Sequence, residues 1–252
     1  MFRKSIRPTI KLKHLEIVGA SKVNYAKAMT DIFGYKNSWI GKKLRFAKIM
    51  KLTFHAVKEI QDIDISKLTL TEDCPINTPA NIDYICFGAM MELQQLLGGD
   101  IAETDLSEHI SRAIAIACYE VNNESDYSSG SKDFEKFQKK ILGKSLVQMM
   151  GLYNWIVSSI KESSTTWSER FMSVEVLDED YAKAGGDRMS QFNVITTLKS
   201  ICQEFNVPLG KAELVSYNLV QTNSYANATS SRIQDDMRIL KEAKFKAKRN
   251  NN

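Results

Sequence analysis

The sequence is poor in the residues that build metal centres and active sites. Its 252 residues include only three histidines and four cysteines. The cysteines never form a Cys-x-x-Cys pair, and no two histidines have the i, i+4 spacing of helical zinc sites, so we expect no metal site. We interpret the cysteines as reduced, buried and inert, which is typical of proteins that fold inside a cell.

Motifs that mark common enzyme classes are also lacking. The chain contains no Gly-x-Gly-x-x-Gly and no Gly-x-Ser-x-Gly sequence, and no Gly-Lys-Ser/Thr follows a predicted strand, which argues against a dinucleotide site, a hydrolase elbow and a phosphate loop. His109 stands beside Glu108, and we place it on the solvated side of its helix. We therefore predict no catalytic residue, no cofactor and no enzymatic activity. The alternative is an enzyme whose site is assembled from distant carboxylates and tyrosines.

Long apolar runs are missing as well. No window approaches the ~18 uncharged apolar residues of a membrane span, and the basic N-terminus lacks the apolar core of a signal peptide. The charge is mixed, with 34 basic and 30 acidic residues and a net charge of +4. We expect a protein that is made and folded in a cytoplasm, with no membrane partner.

Amphipathic helices are abundant. Apolar residues recur at helical spacing through residues 79–160, where four consecutive helices are predicted. The residues that mark their starts are Asn81, Asp105, Phe134 and Ser145. Gly98 ends the first helix, and Asp105 with Glu108 has the spacing of a capping box.

The fold class that follows is mainly α: a multi-helix bundle with minor β near the N-terminus and a small helical C-terminal domain. We predict an N-terminal α+β region (1–78), a helical domain (79–177), a linker (178–188) and a C-terminal helical region with a basic tail (189–252). Further predictions are a strand at 65–71, a linker at 163–166, and helices at 189–205, 212–220 and 233–248.

Two basic clusters are candidate binding sites. The first comprises Lys42, Lys43, Arg45, Lys48 and Lys51. The second comprises Arg238, Lys241, Lys244, Lys246, Lys248 and Arg249, with Glu242 as its one acid. The first can be a phosphate-binding surface with Trp39 and Phe46 as stacking partners, and the second can dock on an acidic partner or on packaged nucleic acid. The alternative is that both are solvated helix faces, because cations are common near the negative end of a helix.

Trp155 is a separate candidate for partner binding. It falls off the main apolar stripe of its predicted helix, and an aromatic side chain displaced from the buried face is typical of interface anchors. The alternative is that the ring belongs to the core, as most aromatic residues at helical spacing do.

Two parts of the chain resemble tail and baseplate assembly proteins of tailed bacteriophages, including their tail-assembly chaperones. The first part is TPANIDYICFGAMMELQQL, followed by SRAIAIACYE, FEKFQKKIL and SLVQMMGLYNWIVSSI. The second is FNVITTLKSICQEFNVPLGKAELVSYNLV, with its Cys-x-Glu-aromatic-x-Val-Pro pattern. Together they cover about half of the chain.

The resemblance implies a non-enzymatic structural or assembly protein in the tail, baseplate or head–tail connector of a phage particle. Its partners would be other virion or assembly proteins, in a homo-oligomer or a larger complex. It would act in the host cytoplasm during assembly and then in the virion. A nucleic-acid-binding module that uses residues 42–51 and 238–249 is the alternative function.

Overall fold

The computed structural model describes Lys11 and residues 65–99, 106–174 and 193–250. The basic cluster at 42–51 and the linker at 178–188 lie outside the described residues. Within the described ranges the chain is mainly helical, as predicted. The α-helices are α1 (Phe87–Gly98), α2 (Leu106–Asn122), α3 (Lys132–Leu142), α4 (Leu146–Met172), α5 (Asn193–Phe205) and α6 (Tyr217–Asn250), with 3-10 turns at Ile65–Lys67, Ile82–Tyr84 and Leu209–Leu214.

Helix α3 shows how directly local sequence determines an element. Ser131 caps it, since its hydroxyl accepts a hydrogen bond from the backbone N–H of Phe134 at 3.1 Å. Acidic residues occupy the first turn and lysines the last, which complements the helix dipole. The buried side chains Phe134, Phe137 and Ile141 recur at helical spacing. This helix is confirmed as predicted.

The first predicted helix begins later than its sequence suggests. Asn81 does act as a cap, but the helix that it caps is the 3-10 turn Ile82–Tyr84. Ile85 is extended, and its carbonyl accepts a hydrogen bond from Tyr217 N at 2.9 Å. Phe87 N in turn donates to Val215 O at 2.7 Å. This short pairing between distant segments interrupts the helical pattern, so α1 starts only at Phe87.

The linker predicted at 163–166 is wrong, because α4 runs through it. Ser163 is buried, and its hydroxyl donates to the carboxylate of Asp83 at 2.5 Å. Thr165 donates to the carbonyl of Lys161 one turn earlier. Their hydroxyls are thus satisfied within a helix whose apolar neighbours Ile160 and Trp167 are buried. Tertiary burial outweighs the low helix propensity of these residues.

The C-terminal region is one long helix and not two short ones. Residues 209–214 form a 3-10 turn, and α6 then continues without a break from Tyr217 to Asn250. The polar stretch at 221–232 stays helical because parts of it pack. The ring of Tyr225 meets Phe171 edge-on with centroids 6.0 Å apart, and Asn227 donates to Glu204.

The strand predicted at 65–71 is also wrong. It begins with a 3-10 turn, and the following residues lie along α4, where Asn154 donates to the carbonyl of Leu68 at 2.9 Å. In the described parts of the chain, bridges between extended residues are limited to two isolated pairs, Lys11–Ser145 and Cys86–Ser216.

Contacts divide the chain into two units that are discontinuous in sequence. The first is Met1–Pro79 with Glu92–Ser158, and the second is Ala80–Met91 with Ser159–Asn252. In the first unit, α2 and α3 pack against each other, and residues 110–119 of α2 are almost all buried. In the second unit, α5 packs on the turn Leu209–Leu214, and α6 packs on the turn Ile82–Tyr84. The predicted domain boundaries stay predictions.

Candidate interaction surface

Those residues predicted to bind partners that the structure describes lie on two different helices. Trp155 lies on α4 and is partly buried, so it is not among the exposed apolar side chains. Arg238, Lys241 and Lys244 are exposed on α6, and Lys248 belongs to the same helix. The structure therefore brings the second basic cluster onto one element, while the role of Trp155 stays a prediction.

Among the described residues, the contacts of α6 lie along one side of the helix and in its first half. Tyr217 and Val220 are buried, and Tyr225 contacts Phe171. From Ser230 to Lys246 every side chain is exposed except that of Asp235, which is partly buried. This segment is about 24 Å long at the normal helical rise.

The exposed half of α6 carries a row of large apolar side chains, which we call the apolar stripe. It consists of Ile233, Met237 and Leu240, which are 55%, 50% and 60% exposed. Their i, i+4, i+7 spacing places them within an arc of about 60° on the helix. Ile239 and Phe245 are also exposed but project from other sides. The stripe is unlike the scattered single apolar residues of an ordinary surface.

Charge is distributed unevenly along the same segment. Arg232 pairs with Asp236 at 3.5 Å, and Arg238 pairs with Asp235 at 3.3 Å. Both pairs are about half exposed, so each contributes only ~0.3–0.5 kcal/mol. Residues 238–249, which we call the basic end, hold six cations and one carboxylate, a net charge of +5.

Exposed apolar surface is concentrated in the second unit. Of the fourteen large apolar side chains that are exposed among the described residues, twelve belong to this unit. Besides the residues of α6 they include Met172, Val194, Ile195 and Leu209. Val121 and Val157 are the two in the first unit.

One polar network in the first unit links three segments. The carboxylate of Glu92 accepts hydrogen bonds from Arg112 and from the hydroxyl of Tyr127, each at 2.6 Å. Burial raises the pKa of Glu92, but the hydrogen bonds and the charge of Arg112 outweigh it, and the pKa lies below its ordinary value. The lowered pKa keeps this carboxylate ionised near neutral pH. The ionised carboxylate can therefore connect the three segments through its hydrogen bonds.

His109 is not on the solvated side of its helix, contrary to prediction. It is partly buried, and its Nε2 lies 3.4 Å from the hydroxyl of Tyr153, with the two rings edge to face. Burial lowers the pKa of His109 and raises that of Tyr153. Loss of water favours the neutral form of both groups, so the pair is uncharged near neutral pH.

Two hollows among the described residues contain few reactive groups. A groove of about 290 Å³ between α5 and α6 is lined largely by hydroxyls and apolar groups, with Glu204 as its one carboxylate. A second hollow, on the first unit, carries an exposed Lys136–Asp133 ion pair. Within residues 65–99, 106–174 and 193–250, no three histidine, cysteine or acidic side chains come together to hold a metal ion. Among the described helices, none has the length and apolar character that a bilayer crossing requires.

No family model, no curated protein and no solved structure matches this chain.

The apolar stripe is the feature that sequence reasoning missed. The sequence-based prediction began a separate helix at Ile233. The three apolar residues were therefore not considered together with the helical turns that precede them. The signal was nevertheless present, since Ile233, Met237 and Leu240 have i, i+4, i+7 spacing among charged neighbours.

Proposed function

We propose that this chain is a non-enzymatic structural or assembly protein that works through protein–protein contacts. The observation that carries the proposal is the apolar stripe of α6, three large side chains at least half exposed on a segment of helix whose side chains are almost all exposed. Burying such side chains against a partner contributes ~1.5–3 kcal/mol each before the costs of association. An assembly protein uses its surface in this way.

The setting that we propose is a tailed-phage particle, in its tail, baseplate or head–tail connector. The resemblance in sequence to tail and baseplate assembly proteins supports this setting. The segments that carry the resemblance form α1 to α4 in one part and α5 with the start of α6 in the other. The protein would act in the host cytoplasm during assembly and then in the virion, in a homo-oligomer or a larger complex.

Co-expression with the products of neighbouring genes tests this function. The full chain is purified with each product, and complex formation is measured by size-exclusion chromatography with light scattering. We expect one stable complex, which is lost when Met237 and Leu240 are both replaced by glutamate. The matched control is Val121→Glu, which adds charge at an exposed valine of the first unit and should leave the complex intact. Absence of a complex with every neighbour, or a complex that tolerates the double change, would refute the proposal.

A nucleic-acid-binding module is the second candidate, and the basic end of α6 supports it. Cations on an exposed helix can neutralise phosphates and release counterions. If all six act, affinity for double-stranded DNA should fall about 10³-fold between 50 and 200 mM salt. The measurement is a fluorescence-anisotropy titration at several salt concentrations. Undetectable binding at low salt would eliminate this candidate.

A further inference from the structure

The surface of α6 opposite its packed side follows a regular repeat. Starting from Leu219, uncharged residues, most of them apolar or small, recur at alternating steps of four and three residues. The positions are Leu219, Asn223, Ala226, Ser230, Ile233, Met237 and Leu240, which we call the heptad line. In coiled-coil notation, Leu219, Ala226, Ile233 and Leu240 occupy d positions, and Asn223, Ser230 and Met237 occupy a positions.

Most of the heptad line stays accessible even where α6 packs on its own unit. Tyr217 and Val220 face the unit and are buried, whereas Leu219 is 48% exposed and Ala226 is also exposed. Asn223, between them, is partly buried and lines the groove beside α5. The packed side and the heptad line lie on roughly opposite faces of the helix at 100° per residue. The line therefore runs over three heptads, about 33 Å, from the body to the apolar stripe.

We propose that the heptad line pairs with the same line of a second copy of this chain, as a parallel two-stranded coiled coil. The proposal deepens the assembly function above and rests on it. A spacing that alternates between three and four residues is what left-handed helix pairs require. Asn223 at an a position favours two strands, since a polar residue there restricts register and oligomeric state.

Charges beside the line fit a second copy in parallel orientation. Asp236 occupies a g position and Lys241 the following e position. In a parallel pair these two positions face each other across the interface, which gives two Asp–Lys attractions per dimer. Within its own helix Asp236 pairs with the exposed Arg232 at 3.5 Å, a weak contact that an interhelical pair replaces at little cost.

The antiparallel orientation lacks this complementarity. There, e positions face e positions and g positions face g positions. The e positions from 227 to 248 hold Asn227, Gln234, Lys241 and Lys248, and the g positions from 229 to 243 hold Thr229, Asp236 and Ala243. Neither Asp236 nor Lys241 would meet an opposite charge, so the charge pattern selects the parallel pair.

Two other occupants fit the heptad line less well. A membrane surface requires a broad apolar face, but the stripe covers only about 60° and cations surround it in the last turns. A nucleic acid would use the basic end but would leave Ile233, Met237 and Leu240 exposed. Lys244 at the next a position ends the apolar core, so the two basic ends extend beyond the coil.

The size of the contact sets the expected affinity. Three heptads from each copy bury on the order of 1,000 Å² in total, at the lower limit for specific interfaces. We expect dissociation constants in the micromolar range for the free protein. Because the two basic ends repel each other, dimerisation should strengthen with added salt, whereas binding to nucleic acid weakens.

Sedimentation equilibrium of the full chain from about 1 to 200 µM tests the proposal. We expect a monomer–dimer equilibrium that Met237→Glu weakens at least about 100-fold. Asp236→Lys should weaken it about tenfold, and the double variant D236K/K241D should restore it to within about threefold of the wild type. An equimolar mixture of D236K and K241D chains should dimerise more tightly than either alone. Circular dichroism checks that each variant remains folded.

Orientation is tested by cross-linking with a short bismaleimide. In a parallel coil the two copies of Leu240 face each other, so Leu240→Cys should give a cross-linked dimer above the wild-type background. Glu242→Cys, on the far side of the helix, should not. Failure of Leu240→Cys to cross-link in a dimeric sample overturns the parallel arrangement.

The two proposals fail in different ways. A chain that stays monomeric at 200 µM, or a dimer that tolerates Met237→Glu, overturns the coiled coil. If that monomer still binds a neighbouring-gene product through the stripe, the assembly function stands and the occupant is an unlike protein. Stripe-dependent binding to DNA instead would overturn both.

Discussion

Replacing Gly151 with alanine probes the closest approach between two segments of the first unit. Gly151 is buried in α4, where residues 68–70 run along the helix. A Cβ atom added at Gly151 would lie 2.3 Å from the carbonyl oxygen of Thr69 and 2.8 Å from its carbonyl carbon. Both are backbone atoms, so no side chain can rotate away to make room. The segment at 68–70 would have to move by about 1 Å.

The expected cost can be assembled from three contributions. Overpacking of this kind costs ~1–3 kcal/mol. Moving the segment also weakens the hydrogen bond from Asn154 to the carbonyl of Leu68, now 2.9 Å long, at a cost of ~1 kcal/mol. Alanine favours a helix over glycine by ~1 kcal/mol, which offsets part of the loss. We therefore expect Gly151→Ala to lower the free energy of unfolding by about 1–3 kcal/mol.

Urea unfolding followed by far-ultraviolet circular dichroism measures this change. The matched control is Gly98→Ala at the end of α1, where an added Cβ meets no atom within 4 Å. The control should be as stable as the wild type or more stable by up to ~1 kcal/mol. If Gly151→Ala unfolds with the same free energy as the wild type or a higher one, the steric reasoning is refuted.

Three further predictions concern polar groups and thiols. Glu92→Gln should lower the free energy of unfolding by ~1 kcal/mol at pH 7. The pKa of Glu92 is lowered in the folded state, so its contribution is present above the ordinary carboxyl pKa and is lost as pH falls through the lowered value. Urea titrations between about pH 7 and 3 should therefore converge, and a gap that persists at acid pH would contradict this account. Asn122→Ala removes three hydrogen bonds, to both backbone groups of Asn77 and to the carbonyl of Cys118. It should lower the free energy of unfolding by ~1–3 kcal/mol in the same assay. An unchanged unfolding midpoint would show that these bonds do not stabilise the fold. Burial raises the pKa of the Cys118 thiol, so iodoacetamide should modify the partly exposed Cys202 first and Cys118 only in urea. Mass spectrometry counts the modified thiols. Rapid modification of Cys118 in the native protein would contradict its burial.

Elements with strong local signals were predictable from sequence. In α3, capping by Ser131, the charge order and the apolar spacing all favour the same helix. Its packing against α2 favours the same helix. Agreement between local propensity and tertiary packing is the condition under which sequence reasoning succeeds.

Elements that depend on distant contacts were not predictable. The run at 163–166 has poor helix propensity, and only its contact with Asp83, eighty residues earlier, makes a buried serine favourable there. Likewise, Ile85 leaves the helical pattern because its carbonyl bonds to Tyr217. Sequence periodicity contains no information about partners so far along the chain.

The candidate surface was partly predictable. The cations of the basic end were identified from composition alone, since charge needs no knowledge of the fold. The heptad line was missed because it extends across 221–232, which looks like a polar break when read locally. Only the continuity of α6 places Leu219 and Leu240 on one face.

The continuity of α6 also affects how it can bind. An isolated helix segment is marginal in water, yet this one begins on a packed base at Tyr217 and Val220, so nucleation has already been achieved. The exposed part contains good helix formers, two internal ion pairs and cations at its negative end, and each of these extends the helix. A helix that is already formed loses little backbone entropy when a partner covers it. Burial of three or four apolar side chains can then suffice for association. A disordered tail of the same composition would not associate, because it would lose more backbone entropy on binding.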